Sequence, residues 1–336
     1  MLRPCLRRIA ALALGVLAAC GSRQEEVVAY TSVDQVFSEP VFRAFERETG
    51  TPVRAVFDTE ETKSTGVLNR LLAEATHPQA DLFWSGDPVR PFLLIRRGLI
   101  EPYASPSARD IPAAFRAEDG AWTGFAARAR VLLVNTERVP SEKMPGSLRD
   151  LADPQWRGQT AIANPLYGTT SIHVAALFSA WGDDAARAFL DSLRSNDVKI
   201  ASSNGEVKRL VVSGEIAFGL TDTDDAHEAT LTGAPVAVVY PDQQGDGTLV
   251  MPTVAVLIRG GPNAAAARKL ADFLLSPEVE REMAETAAHM PLRAAVAVPP
   301  NVSRVGDVRS MPVDYARLAE ITERIQPWLR EWVGLE

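Results

Sequence analysis

Short apolar runs and amphipathic runs alternate over the first part of the chain, and this alternation constrains the fold more than any other feature. Residues 27–32, 53–57 and 81–85 have the length and the apolar composition of buried strands. Between them, residues 40–49 and 63–75 carry apolar side chains three and four positions apart, which predicts two helices. Five elements in under sixty residues favour right-handed crossovers, so the sequence predicts an α/β fold with a parallel sheet.

A second block of strands and helices follows in the middle of the chain. Its strands are predicted at residues 129–135, 160–163, 198–201 and 216–220. A further strand, predicted at residues 249–258, returns the chain to the first block. Two such blocks, connected by the strands near Ala129 and Leu249, predict two lobes with separate sheets.

The expected lobe boundaries follow from where the two blocks meet. The first lobe comprises residues 27–122 and 249–308, and the second comprises residues 123–248. A final amphipathic helix within residues 309–336 is expected to pack back on the second lobe. Because ligands of open α/β sheets bind at the carboxyl ends of the strands, a ligand cleft is expected where the two lobes meet.

Polar side chains follow the predicted strands of the first lobe. They include Thr31, Asp34, Ser85 and Asp87, and the aromatic Tyr30 precedes them. Because the carboxyl ends of parallel strands lie at the same edge of a sheet, we expect these residues along one side of the cleft. Short polar residues at strand ends also form turns and helix caps, so a structural role is the alternative for each of them.

An acidic loop follows the predicted strand at residues 216–220 and leads into an Ala- and Glu-rich helix. Asp222, Asp224 and Asp225 place three carboxylates within four residues. Such carboxylates repel one another unless a cation or a donor-rich ligand lies opposite. The sequence therefore predicts that Asp224 and Asp225 contact a cationic centre, a metal ion or an ammonium group, at the mouth of the cleft. The alternative is that the loop only caps the next helix.

A second candidate loop follows the strand predicted at residues 160–163. Gly168 is followed by the hydroxyl residues Thr169, Thr170 and Ser171 at the predicted start of an Ala-rich helix. Free backbone N–H groups at a helix start, together with hydroxyl groups, suit a carboxylate or a phosphate. The sequence therefore predicts an anion-binding loop here.

The first twenty residues, 1–20, are predicted to be an export signal. A positive segment around Arg7 is followed by an apolar stretch that is too short to span a bilayer. Small residues before Cys20 resemble a bacterial lipoprotein processing site, so we expect a lipid anchor on Cys20 in the periplasm or cell envelope. An ordinary export signal with an incidental cysteine is the alternative. The other cysteine, Cys5, would be removed, which leaves the mature chain without a disulfide.

Charge and motifs disfavour several function classes. The formal net charge of −8 argues against nucleic acid as a partner. The sequence contains no HExxH, Walker A, GxGxxG or nucleophile-elbow motif, and its four histidines have no metal-ligand spacing. Asp224 and Asp225 as an acid–base pair keep a hydrolase as a distant alternative. We therefore expect a monomeric binding protein without a cofactor rather than an enzyme.

Seven short stretches, in order along the chain, resemble the ferric-ion-binding class of periplasmic solute-binding proteins. They are residues 30–32, 45–50, 80–84, 156–158, 214–216, 271–274 and 291–293. The resemblance implies a two-lobed periplasmic-binding-protein fold like type II, whose lobes are joined by a strand hinge and close over a ligand in the cleft. It also implies delivery of that ligand to the permease of an ABC importer in the inner membrane.

The iron ligands of that class do not match this chain. The resembling proteins use a histidine, a glutamate and two adjacent tyrosines, whereas the matching positions here hold Asp34, Gly86 beside Asp87, Asp224 and Asp225. The tyrosine pair that supplies phenolate ligands to Fe³⁺ is absent. The loop for a co-bound anion does match, and the resemblance implies anion-binding roles for Tyr167, Gly168, Thr169, Thr170 and Asn204.

Two ligand hypotheses follow from this departure. In the first, Asp34, Asp87, Asp224 and Asp225 form an all-oxygen site for a hard, ferric iron-like cation, with Asp34, Asp224 and Asp225 as the metal ligands. In the second, the acidic side holds the cationic end of an organic solute, and Thr169, Thr170 and Asn204 hold its anionic end. Tyr30 packing on an organic ligand favours the second. A phosphorylated or phosphonate solute bound without metal is the alternative, and a metal ion would be cargo.

Overall fold

The computed structural model of the protein describes residues 26–58 and 66–334. These residues form ten strands: β1 (Val27–Thr31), β2 (Val53–Phe57), β3 (Leu82–Ser85), β4 (Ile100–Glu101), β5 (Thr123–Asn135), β6 (Thr160–Ala163), β7 (Lys199–Ala201), β8 (Phe218–Asp222), β9 (Val236–Val239) and β10 (Val250–Ile258). They also form ten α-helices: α1 (Gln35–Thr49), α2 (Gly66–Ala73), α3 (Val89–Arg96), α4 (Gly168–Trp181), α5 (Asp183–Ser195), α6 (Asn204–Val212), α7 (Thr223–Leu231), α8 (Ala264–Leu274), α9 (Pro277–Ala287) and α10 (Tyr315–Trp332).

The strands follow one hydrogen-bonded order, β2-β1-β3-β10-β5-β8-β6-β7, with β4 paired to β10 and β9 paired to β5. β1 runs parallel to β2 and β3, and β6 runs parallel to β7 and β8, as the alternation of strands and helices predicts. In the centre, β10 and β5 run antiparallel to their neighbours. The parallel strands therefore lie in two groups, one at each end of this order.

β5 connects the two groups because it is long enough to pair with both. Residues 123–129 pair with β10, whereas residues 130–135 pair with β8 and β9. The strand is irregular at Ala126, whose φ of 45° lies in the left-handed region. We expected two separate sheets, and this was wrong, because hydrogen bonding continues through β5. The boundaries of the lobes stay a prediction.

Two large hydrophobic clusters cover the strands. The first packs around Phe42, Trp84 and Phe125, and the rings of Trp84 and Phe125 are stacked with their centroids 5.6 Å apart. The second packs around Trp156 and Phe218, with side chains of α4, α5 and α10. Burial of apolar and aromatic side chains as large as these is the main favourable contribution to folding.

The C-terminal helix α10 packs against two partners. It contacts α4, which belongs to the predicted second lobe, and α3, which belongs to the predicted first lobe. Arg324 donates two hydrogen bonds to Asp183 at the start of α5, and Glu323 pairs with Arg96 of α3. The contact with α3 was not predicted. Within the described ranges, no helix is both long and apolar enough to cross a bilayer.

Candidate functional site

Two arginines of β5 lie at the centre of the candidate site. Arg128 and Arg130 are two positions apart on the strand, so both side chains point to the same face of the sheet. Arg128 is 8% exposed and Arg130 is fully buried. Charges buried to this extent require acceptors and counter-charges. The partners of these two arginines therefore define the site.

Arg130 brings together residues of β8, α4 and α6. Its Nη1 donates to Asp222 Oδ1 at 2.7 Å and to Thr169 Oγ1 at 2.9 Å. The same nitrogen donates to Asn204 Oδ1 at 3.1 Å, and Nη2 donates to Thr170 Oγ1 at 3.1 Å. Thr169, Thr170 and Asn204, which were predicted to hold an anion, thus lie together around a cation of the protein itself.

Asp222, the last residue of β8, is the central carboxylate of this group. Besides Arg130, it accepts hydrogen bonds from the Thr169 hydroxyl at 2.7 Å and from Asn204 Nδ2 at 3.1 Å. Its side chain is 2% exposed. The compensation that three neighbouring carboxylates require is therefore supplied within the chain, at Asp222 mainly by Arg130.

Arg128 connects the acidic loop with the turn that follows β3. Its Nη1 donates to Asp224 Oδ2 at 2.9 Å and lies 3.5 Å from Asp222 Oδ2, while Nη2 donates to the Gly86 carbonyl at 2.7 Å. Burial alone would lower the pKa of Arg128, but the carboxylates of Asp224, Asp222 and Asp34 raise it above its ordinary value. Arg128 is therefore a permanent cation that links the two groups of strands.

Gly86 allows this backbone turn to approach Arg128. Its N–H donates to Ser32 Oγ at 2.9 Å. A Cβ at this position would lie 3.0 Å from the Ser32 carbonyl oxygen and 3.4 Å from Arg128 Nη2. Any larger residue would therefore press on the backbone after β1 and on the guanidinium group.

Asp87 caps α3 and does not pair with the acidic loop. Its Oδ1 accepts hydrogen bonds from the N–H groups of Val89 at 2.9 Å and Arg90 at 3.1 Å, and its Oδ2 lies 3.4 Å from Arg90 Nη1. These are the contacts of a carboxylate at a helix start. The contacts of Asp87 are therefore those of a helix cap and not those of a cation ligand.

Thr31 and Ser85 make similar local contacts. The Thr31 hydroxyl oxygen accepts a hydrogen bond from the Val33 N–H at 3.0 Å, and Ser85 Oγ accepts one from the Asp87 N–H at 3.4 Å. Both side chains are fully buried. Their contacts are those of turn-forming residues at strand ends.

Tyr30 points away from the candidate site. Its hydroxyl donates to the carboxylate of Glu74 just after α2, at 3.0 Å and 3.1 Å, and the guanidinium group of Arg70 lies 4.7 Å from the ring centroid. Burial and the hydrogen bond to Glu74 raise the pKa of Tyr30 to about 12. Alternation along β1 places Tyr30 with Val28 in the cluster under α2, so it does not join the residues around Arg130.

Asp224 and Asp225 lie in the first turn of α7, beside Asp222. One carboxylate oxygen from each of the three lies within 4.8 Å of the others, a spacing that suits a metal ion. Asp225 also has partners in the protein, since it accepts a hydrogen bond from Thr221 Oγ1 at 3.0 Å and lies 3.6 Å from Lys208 Nζ. The cluster is therefore lined by cationic side chains as well as by carboxylates.

His289 joins the site from the segment that follows α9. Its Nε2 lies 3.9 Å from Asp224 Oδ2, and the residue is 1% exposed. Burial lowers the pKa of His289 in spite of the neighbouring Asp224 carboxylate, and Asp34, at the start of α1, acts on the same imidazole. Asp34 is half-buried. Its carboxylate lies within electrostatic range of both His289 and Arg128.

The start of α4 presents hydrogen-bond donors. Tyr167, at the N-cap position, is 40% exposed and makes no side-chain capping bond within the described chain, and Gly168 begins the helix. Arg90 of α3 is 5% exposed, and its Nη2 lies 3.5 Å from Ser171 Oγ in the first turn. No described residue accepts a hydrogen bond from Arg90 Nη1. This helix start therefore combines N–H groups, hydroxyl groups and a buried guanidinium group.

Sequence reasoning missed Arg90, Arg128, Arg130 and His289. The two arginines of β5 did leave a signal, because two charged residues two positions apart interrupt an otherwise apolar strand. His289 left none, since it is brought to Asp224 by pairing of Met290 with Ala127, which is distant in sequence. Cys20 lies outside the described residues.

Comparison with known proteins agrees with this architecture. The profile of a family described as bacterial extracellular solute-binding protein matches residues 78–317. Iron-bound HitA from Pseudomonas aeruginosa superposes with a TM-score of 0.82 at 22% identity, over 92% of this chain and 99% of that one. This likeness supports the two-lobed fold.

The names of two sequence relatives indicate different ligands. Iron uptake protein A1 of Synechocystis sp. is 27% identical over 299 residues, which cover 85% of this chain and 81% of the relative. A putative 2-aminoethylphosphonate-binding periplasmic protein of Salmonella typhimurium is 26% identical over 337 residues, which cover 97% of this chain and 93% of the relative. The profile covers well over half of the chain, and the chain therefore belongs to the bacterial extracellular solute-binding protein family.

Proposed function

We propose that the protein is the solute-binding component of an ABC-type importer and that it captures a small zwitterionic organic solute. The solute lies between the two groups of strands, with its anionic end at the start of α4 and its cationic end beside Asp34 and Asp224. Membership of a solute-binding family supports the transport role. The charges around β5 support the class of solute.

One observation carries the proposal: the buried Arg128 and Arg130 already neutralise Asp222 and Asp224. A bare Fe³⁺ ion bound by these carboxylates would lie next to two guanidinium groups, and like charges repel strongly in a buried site. Hard cations are bound in proteins by oxygen ligands that are free to coordinate them. Coulomb repulsion scales with charge, so the same guanidinium groups oppose a singly charged ammonium group far less than a trivalent ion, and the arrangement favours an organic solute over a metal ion alone.

The anionic end of the solute is assigned to the start of α4. The first N–H groups of a helix have no partners within the helix, and the helix dipole favours a negative charge there. Arg90 adds a charged donor, and Thr170 adds a hydroxyl group. A phosphonate or carboxylate group placed beside them would accept hydrogen bonds from all three kinds of donor.

The cationic end is assigned to Asp34 and Asp224. Both carboxylates act on Arg128 and on His289, so they lie on the same side of the site. Because burial lowers the pKa of His289, this imidazole is neutral near pH 7 and does not repel an ammonium group. An ammonium group also donates hydrogen bonds directly to carboxylates, in addition to its charge.

The proposal is tested with 2-aminoethylphosphonate, which carries both charged ends. We expect this probe to raise the melting temperature of the purified protein in a saturable way, because it binds the folded state. Ethylphosphonate lacks the amine and ethanolamine lacks the phosphonate. Each should bind at least about tenfold more weakly in isothermal titration calorimetry, since each loses one set of charge-assisted hydrogen bonds.

Two variants assign the two ends. Arg90→Gln should weaken binding of ethylphosphonate and leave binding of ethanolamine unchanged, whereas Asp224→Asn should do the reverse. Ferric citrate tests the competing cargo. Saturable stabilisation by ferric ion, together with no response to any of the three organic probes and no organic solute retained in native mass spectra, would contradict the proposal.

We also propose that the exported chain is anchored by a lipid on Cys20 after removal of residues 1–20. The positive segment, the short apolar stretch and the small residues before Cys20 support this, and a relative is named as a periplasmic protein. Cys20→Ser should release the protein from the membrane fraction or block its processing. If that variant stays membrane-bound and is processed normally, the anchor is not on Cys20.

A further inference from the structure

Glu280 of α9 is a fully buried carboxylate outside the acidic loop. Its Oε1 accepts hydrogen bonds from the backbone N–H groups of Ala126 at 3.1 Å and Leu292 at 2.9 Å. Its Oε2 accepts a hydrogen bond from Arg293 Nη1 at 3.0 Å. One side chain therefore holds two stretches of backbone, β5 at its irregular residue and the segment that follows α9.

These two stretches are also paired with each other. The N–H of Ala127 donates to the Met290 carbonyl at 2.8 Å, and the N–H of Met290 donates to the Ala127 carbonyl at 2.6 Å. Arg128 directly follows Ala127, and His289 directly precedes Met290. The pairing of the two backbones therefore sets the distance between the side chains of Arg128 and His289.

Both of these side chains reach the same carboxylate oxygen. Arg128 Nη1 lies 2.9 Å from Asp224 Oδ2, and His289 Nε2 lies 3.9 Å from it. Asp224 comes from α7, which neither stretch contains. The position of Asp224 relative to the rest of the site therefore depends on how firmly β5 and the segment after α9 are held together.

Arg293 fixes the other side of Glu280. Its Nη2 donates to the carbonyl groups of Ser107 at 2.6 Å and Leu275 at 2.7 Å, and its Nε donates to Asp110 Oδ1 at 2.8 Å. The Arg293 side chain is 2% exposed, and these contacts join the stretch of residues 107–110 and the end of α8 to the segment that follows α9. The stretch of residues 291–293, which the sequence singled out without a role, is thus anchored around one buried ion pair.

We infer that Glu280 is a positioning residue for the solute site. It holds the backbone of β5 and of the segment after α9 in the arrangement that brings Arg128 and His289 to Asp224, and it touches no solute itself. The hydrogen bond from the Ala126 N–H supports a residue whose φ of 45° is uncommon outside glycine. The biological relevance of this role rests on the proposed function, whereas the geometry exists without a ligand.

The test reads the imidazole of His289 by NMR titration of the unliganded protein. The groups that face it are Asp224 of α7, Arg128 of β5 and Asp34 at the start of α1. Burial lowers the pKa of His289 in the wild type. Glu280→Ala should let the segment separate from β5 and admit water, so the pKa of His289 should rise toward the ordinary value of 6.5.

A second variant and a matched control separate positioning from general destabilisation. Glu280→Gln keeps one oxygen that can accept from both backbone N–H groups, so its change should have the same direction and be smaller. The control is Asp81→Asn, since Asp81 is 1% exposed and likewise accepts from two backbone N–H groups, those of Val28 at 2.8 Å and Asn263 at 2.6 Å. It should lower the melting temperature and leave the His289 titration unchanged.

An unchanged titration of His289 in either folded Glu280 variant overturns the inference, and so does an equal change in the Asp81→Asn control. If Glu280→Ala does not fold, Glu280→Gln decides. Because no ligand enters the measurement, its failure leaves the proposed class of solute untouched. Conversely, failure of 2-aminoethylphosphonate to bind leaves the positioning role intact.

Discussion

Arg130 and Asp222 face each other directly across β5 and β8, and their side chains form an ion pair of 2.7 Å in which they are 0% and 2% exposed. The pair is therefore a cross-strand contact that exists only when both strands are in register. Thr169, Thr170 and Asn204 bond to the same guanidinium group. The polar centre of the site is thus also part of the structure that holds the sheet together.

Removal of one partner of this pair should destabilise the fold. Asp222→Ala leaves Arg130 without its counter-charge in a fully buried position, and breaking a buried pair in this way costs about 3–5 kcal/mol. We expect a decrease of this order in the free energy of unfolding, measured by urea denaturation. Asp183→Asn, which breaks the exposed pair with Arg324, is the control and should change stability far less. Equal effects of the two substitutions would contradict a structural role for Asp222.

The two carboxylates at the start of α7 should differ in their effect on binding. Asp225 has Lys208 and Thr221 as local partners, whereas Asp224 lies between Arg128 and His289. We expect Asp224→Asn to weaken binding of 2-aminoethylphosphonate by at least about tenfold, because a charged contact is lost, and Asp225→Asn to have a much smaller effect. Calorimetric titration of both variants checks this. If the variant that carries both Asp224→Asn and Asp225→Asn binds with wild-type affinity, these two residues only cap α7 and do not contact the solute.

Tyr30→Phe tests whether Tyr30 contacts the solute, as the sequence predicts, or only stabilises the fold through Glu74. Because Tyr30 bonds to Glu74 under α2, loss of its hydroxyl should lower the free energy of unfolding by about 1 kcal/mol. The affinity for 2-aminoethylphosphonate should stay within about twofold of the wild type, a change below about 0.4 kcal/mol. A tenfold loss of affinity without loss of stability would instead support the stacking role that the sequence suggested.

Local periodicity predicted most of the strands because each of them buries one face or both faces, but it did not predict α3, which carries Arg90. The bounds were less certain: the helix predicted at residues 40–49 begins at Gln35, five residues before Pro40. Proline favours the first turn of a helix, whereas Pro40 lies in the second turn of α1. Ser38 Oγ donates to the carbonyl groups of Val33 and Asp34 and so closes the turn that precedes the proline.

The sequence predicted where the candidate site lies but not which side chains bond to one another there. Strand ends and helix starts located Thr169, Thr170 and the acidic loop, since topology alone brings such positions to one edge of a sheet. The partners of Arg130 come from three other elements, so no local pattern contains them. Arg130, the cation that compensates Asp222, therefore became visible only in the structure.

His173 of α4 is buried near this network and makes stability depend on pH. It is 2% exposed, and neither ring nitrogen has a hydrogen-bond partner among the described residues. Burial, and the charge of Arg130, lower its pKa well below 6.5. In the unfolded chain the imidazole regains a pKa of about 6.5, so below that pH the unfolded state binds more protons than the folded state. His173 therefore leaves the free energy of unfolding unchanged above about pH 6.5 and lowers it progressively at lower pH.

Lowering the pH from about 7.5 to about 5.5 should reduce the free energy of unfolding of the wild type by about 1.4 kcal/mol through His173. Urea denaturation at the two pH values measures this change. His173→Leu removes the titrating group and an unsatisfied buried polar group among Leu177, Leu190 and Leu220. This variant should be more stable than the wild type by about 1–3 kcal/mol and lose less stability at the lower pH. His289 contributes equally to both proteins, and His77→Gln, at an exposed position, should retain the wild-type dependence. A pH dependence that His173→Leu shares in full with the wild type would contradict the lowered pKa of His173.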